Sequence, residues 1–107
     1  MSQWFDRQGN PITLEQWGIH HEDYDYIVVE KTPMMYHNEP VEVSTVWLGL
    51  NHNWREGPPI IFETMVFGGP NDGDCFRYST EKEARDGHAV AVHELVNRMS
   101  RERRDLE

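Results

Sequence analysis

Residues 43–69 read VSTVWLGLNHNWREGPPIIFETMVFGG, two long apolar runs either side of a segment crowded with Asn, His, Trp, Arg, Gly and Pro. The first run belongs to a strand predicted over 41–50, where Val46, Leu48 and Leu50 point one way and Thr45, Trp47 and Gly49 the other. The second, 60–67, sends Phe62, Thr64 and Val66 to one side and Ile61, Glu63, Met65 and Phe67 to the opposite side. Neither run has a clean wet face, so their sheet is expected to be covered on both sides, by helices, loops or a second copy of the chain. The connection Asn51–Pro59 is long for a simple hairpin, and Pro58-Pro59 stiffens its exit. Polar loops held on a rigid scaffold are where binding residues concentrate.

Working toward the N-terminus, Trp4-Phe5-Asp6 and the turn Arg7-Gln8-Gly9-Asn10-Pro11 predict a small hairpin. Thr13 precedes Gln16 at capping-box spacing and opens a short helix ending near His21, with Leu14, Trp17 and Ile19 as its apolar contacts. Tyr24 to Lys31 reads as a strand closed by Thr32-Pro33. Residues 34–40 read as a connection, with Met34, Met35 and Tyr36 packing under the sheet. Toward the C-terminus, Gly68 to Asp74 is a turn region and Cys75 to Ser79 a short edge strand.

The last element is a long helix with Thr80 as N-cap, Glu83 at the capping-box position, and Ala84, His88, Ala91, Leu95 and Met99 on one stripe. Gly87 inside it costs about 1 kcal/mol relative to Ala, and a close helix-to-sheet approach is the simplest reason to tolerate it. These elements add up to an α+β domain over 1–107: an antiparallel sheet of about four to six strands, a short N-terminal helix and one long C-terminal helix packed on the sheet.

Composition narrows the function classes. Nineteen acidic against ten basic residues give a net charge of −9, which disfavours direct docking on nucleic acid or anionic lipid and suits a basic partner. A single cysteine, Cys75, excludes an intramolecular disulfide and a thiolate metal cluster. Met1–Asp6 lacks a basic stretch followed by an apolar run, and no window approaches a membrane span, so a cytoplasmic location is expected.

Six histidines, at 20, 21, 37, 52, 88 and 93, invite a metal hypothesis that their spacing opposes. His88 and His93 stand about 140° apart around a helix, and HExxH is absent. No metal or cofactor is expected. Glu63 lies in an apolar strand and needs a cation or donors, which His52, His88, Arg55 or Arg77 would supply. An enzyme built from His52, Glu63 and His88 is the weakest reading, beside a structural ion pair for Glu63. Cys75 would act as a nucleophile only beside a base and in a positive local field, and flanked by Asp74 and Phe76 it is expected to have no catalytic role; Gly68, Gly69 and Gly73 lack the order of a phosphate loop. Trp and Arg dominate interface hot spots and also stack nucleobases, which singles out Asn51, His52, Asn53, Trp54 and Arg55 together with Glu63 as binding candidates, while Trp47 is expected in the core.

The segments FDRQGNPITLEQW, VSTVWLGLNHNW, PPIIFETMVFGG and YSTEKEARDGH together resemble a group of small proteins encoded by tailed bacteriophages and prophages, and the likeness spans nearly the whole chain. The resemblance carries over no activity, cofactor or site residue. It implies an accessory protein at work in the cytoplasm of a bacterial host, where such proteins bind and inhibit host factors, CRISPR and other defence components among them. The resulting expectation is a non-enzymatic protein that modulates a host protein through its acidic surface and the 51–59 loop. The alternative is a small-molecule binder that sequesters a nucleotide signal in a pocket or between the subunits of a homodimer.

Overall fold

The two apolar runs are neighbouring central strands in the computed structural model, which describes residues 3–105. In chain order the elements are α1 (Leu14–His21), α2 (Tyr24–Ile27), β1 (Val28–Tyr36), β2 (Glu39–Trp47), β3 (Phe62–Phe67), β4 (Cys75–Tyr78) and α3 (Glu81–Asp105). The strands form one antiparallel meander, β1-β2-β3-β4, with Thr45 opposite Thr64 and Thr64 opposite Phe76. The expected α+β class, N-terminal helix and long C-terminal helix are all present.

Four details depart from the sequence reading. Tyr24–Ile27 is a helical turn and not a strand, because the Asp23 carboxylate accepts the Asp25 and Tyr26 amides and caps it. The strand that follows does not stop at Pro33 but runs to Tyr36, since β1 is a sheet edge, where a residue without an N–H is tolerated. The expected connection over 34–40 is instead a tight hairpin, with His37 at φ 51° and Asn38 at φ 64°, the two left-handed positions that join twisted strands. The two central strands are also shorter than expected: β2 ends at Trp47, with Leu50 making only an isolated bridge to Trp4, and β3 begins at Phe62.

At the N-terminus the capping box forms as expected, with Thr13 Oγ1 accepting the Gln16 amide and Gln16 Oε1 accepting the Thr13 amide. Of the three expected contacts of α1 only Trp17 packs inward, while Leu14 and Ile19 are exposed. The Trp17 indole donates to the Leu48 carbonyl at 2.9 Å, which fastens α1 to the end of the sheet.

Helix α3 lies across one face of the sheet. Ala84, His88, Ala91 and Leu95 are buried along its stripe, against Val41, Val43, Thr45 and Trp47 of β2 and Phe62, Thr64 and Val66 of β3. The apolar core is in two parts, one around Trp47, Ile61 and Phe62 and one around Val43, Val66 and Leu95. Between them sits a polar group: His88 Nδ1 is 2.7 Å from Thr45 Oγ1, and His88 Nε2 is 2.8 Å from Thr32 Oγ1 and 3.3 Å from Glu30 Oε2. Thr45 also shares a hydrogen bond with Thr64, so these buried side chains satisfy one another. The opposite face carries Met35, Val46, Glu63, Met65, Phe67 and Arg77, and no helix or strand of the described residues covers it.

Candidate functional site

The segment 48–61 joins β2 to β3, and its polar part, from Asn51 onward, lies at the end of the sheet where the N-terminal hairpin also packs. Its form comes from two asparagines. Asn51 Oδ1 accepts the backbone amides of Asn53 and Ile60, at 2.8 and 3.0 Å, and so ties the two ends of the loop together. Asn53 Oδ1 accepts the Arg55 amide at 2.9 Å, and its Nδ2 donates to the Pro58 carbonyl across the loop at 2.8 Å. A backbone bond from the His52 amide to the Ile60 carbonyl closes the neck. Short polar side chains that bond to nearby backbone are what hold such a segment in one shape without a strand ladder.

The braced loop presents Trp54 at its tip, 95% exposed, with Arg55 and Glu56 exposed beside it. His52 is half-buried, and its Nδ1 lies 2.8 Å from the Leu50 carbonyl. A carbonyl only accepts, so Nδ1 is the donor in this bond. Asn51, His52, Asn53, Trp54 and Arg55 are thus gathered in one structure in which the asparagines position and the Trp-Arg pair is offered outward. Pro58, read from sequence only as a stiffener, also matters through its carbonyl.

Glu63 does not belong to this group. It lies on the open face of the sheet and pairs with Arg77, whose Nε donates to Glu63 Oε2 at 3.0 Å. His88 is on the other side of β3, fully buried beneath α3. His52, Glu63 and His88 therefore do not converge, and no acid–base site is assembled from them. Burial pushes the His88 pKa below its ordinary value, with Glu30 drawing it up and Arg85 pushing it further down. The Cys75 thiol is held above its ordinary range, first by burial and then by the Glu63 carboxylate, which disfavours the nucleophilic thiolate.

The remaining histidines are dispersed among separate roles. His20 stacks on Tyr26 at 3.9 Å and His21 on Trp17 at 4.6 Å between ring centroids, and His93 bonds Asn97 within α3. Among the described residues no three His, Cys, Asp or Glu side chains gather as a metal centre, and no helix is long and apolar enough to cross a membrane. No protein-family model, curated protein or solved structure matches the chain.

Proposed function

We propose that this chain is a phage-encoded accessory protein that acts by binding a bacterial host protein, a defence component such as a CRISPR factor, and that the 51–59 loop is its contact. The observation that carries the reading is Trp54, almost fully exposed on a loop held in shape by its own hydrogen bonds. An indole left in water forgoes about 4–6 kcal/mol of burial, and a partner pocket recovers it at little cost in loop ordering. Arg55 beside it adds the planar donor fork that fits carboxylates and aromatic faces. The net charge of −9 favours a partner with a basic surface.

Capture of the partner from host lysate on immobilised protein, followed by titration of the captured species, tests this. Trp54→Ala is expected to weaken binding by at least about tenfold, or about 1.4 kcal/mol, and Arg55→Ala by less. Capture unchanged by both substitutions rejects the loop as the contact.

A further inference from the structure

A second surface lies along β4 and the flank of α3. Phe76 and Tyr78 of β4 and Gly87, Val90 and Ala91 of α3 line a groove of about 270 Å³ that Glu94 borders. Its two outer walls are open to water, with Phe76 42% and Val90 55% exposed. Gly87 makes the groove: a Cβ there would overlap the Tyr78 ring, so only glycine lets the strand and helix approach this closely.

Among the described residues strand β4 pairs with β3 alone, which leaves the backbone groups of its outer edge without a neighbouring strand. The other edge of the sheet is guarded. There β1 carries Pro33 and an irregularity at Val28–Glu30, devices that block a further strand, and β4 has neither. An open edge beside an apolar groove is the arrangement that accepts an added strand, the backbone supplying affinity and alternate side chains supplying specificity.

Charge selects the strand. Glu83, Gly87, Val90 and Glu94 recur at four, three and four residues and so share one face of α3. The two carboxylates stand about 16 Å apart along the axis, one either side of the apolar centre. Asp74 shares an adjoining hollow with Glu94, and neither makes an ion pair among the described residues. In that hollow Arg98 is held by Glu102 and Asn71, and Arg101 also lines it.

We propose that β4 receives an extended segment of a partner protein with the pattern basic-x-apolar-x-basic, its apolar side chain seated between Phe76 and Val90 and its lysines or arginines on Glu83 and Glu94. Alternate residues of a strand stand about 6.7 Å apart on one face, so the two basic positions span about 13 Å, and their long side chains reach the remainder. A second copy of β4 fits poorly. Its groove-facing residues are Phe76 and Tyr78, flanked at the same spacing by Asp74 and Thr80, with no basic side chain among them.

The test uses fluorescein-labelled nonapeptides with the core Lys-Ser-Val-Ser-Lys, Glu-Ser-Val-Ser-Glu or Lys-Ser-Ser-Ser-Lys, titrated by anisotropy with the full chain at low ionic strength. The Lys-Val peptide is expected to bind saturably, each of the other two at least about tenfold more weakly, and Val90→Lys and Glu94→Lys are each expected to weaken it about tenfold. Amide shifts on binding are expected at Cys75–Tyr78. Trp54→Ala is expected to leave the titration unchanged, so this surface and the loop stand or fall separately. Absence of saturable binding, equal binding of the Glu-Val peptide, indifference to Val90→Lys in a variant whose helical circular dichroism is intact, or shifts confined to another strand would each overturn the proposal.

Discussion

Gly49 shows how much one position decides. It sits at φ 74°, where an L side chain is strained, and a Cβ there would overlap the Trp47 and Trp17 rings, the second with its indole nitrogen bonded to the Leu48 carbonyl. Gly49→Ala is expected to cost about 2–5 kcal/mol, about 1–2 from the left-handed backbone and about 1–3 from overpacking. Urea unfolding measures it, and a loss under about 1 kcal/mol would show that the two rings give way freely. The sequence placed Gly49 inside a strand, because nothing in the letters WLGL marks the backbone turning out of the sheet. Trp47, by contrast, was legible as core from its place in an apolar run, and it is fully buried. For Glu63 the need for a partner was legible and Arg77 was among the candidates, but choosing Arg77 required the β3–β4 register, which no local pattern encodes.

At the scale of elements, segments whose ends carry their own chemistry were readable and segments defined by their neighbours were not. The Thr13–Gln16 box and the α3 stripe are local signals, and both elements lie where those signals put them. The turn Tyr24–Ile27 has the composition of a strand, and Asp23 overrides it with two capping bonds. Pro33 reads as a stop signal unless the strand is known to be an edge, which is a property of the whole sheet. The 51–59 loop was legible as a polar connection, while its bracing depends on where two side-chain oxygens and the Pro58 carbonyl meet. Asn51→Ala removes the acceptor for two half-buried amides and is expected to destabilise the fold by about 1–2 kcal/mol. Hydrogen exchange at Asn53 and Ile60 is expected to speed up well beyond the global change, with partner capture falling as Trp54 loses its fixed pose. Exchange at these amides that merely follows global stability would mean that Asn51 does not hold the loop.

Across the whole molecule, His88 is a joint between the sheet and the long helix that crosses it, since its ring reaches Thr45 of β2 and Thr32 and Glu30 of β1 from the N-terminal third of α3. Its pKa is lowered from the ordinary 6.5, chiefly by burial. Between that lowered value and 6.5 the unfolded chain holds a proton that the native ring does not, so unfolding free energy falls as pH is lowered through this window and is complete above it. Two carboxylates act in the same direction at more acid pH. Glu81 is held below its ordinary 4.5 first by its bond from Arg7, and Glu102 by its bond from Tyr36, so what they contribute is present above 4.5 and is lost as pH falls below it. Opposing all three, acid titrates the surplus of nineteen carboxylates over ten cations and relieves their mutual repulsion. The net slope of stability with pH is therefore a poor witness for any one group, and the difference between two proteins with the same charge surplus is a good one. His88→Gln keeps an amide donor and acceptor for the threonines but cannot titrate; it is expected to cost about 1–3 kcal/mol near pH 8 through poorer geometry in a buried network. In urea unfolding from pH 8 to pH 4, that gap is expected to narrow as pH falls below 6.5, by at most about 1.4 kcal/mol per pH unit for one proton, and to become constant once pH lies below the lowered value of the native ring. A gap independent of pH throughout would show that the native ring takes up its proton as readily as the unfolded one, and the buried joint would then hold an imidazolium on Glu30 in place of a neutral ring among threonines.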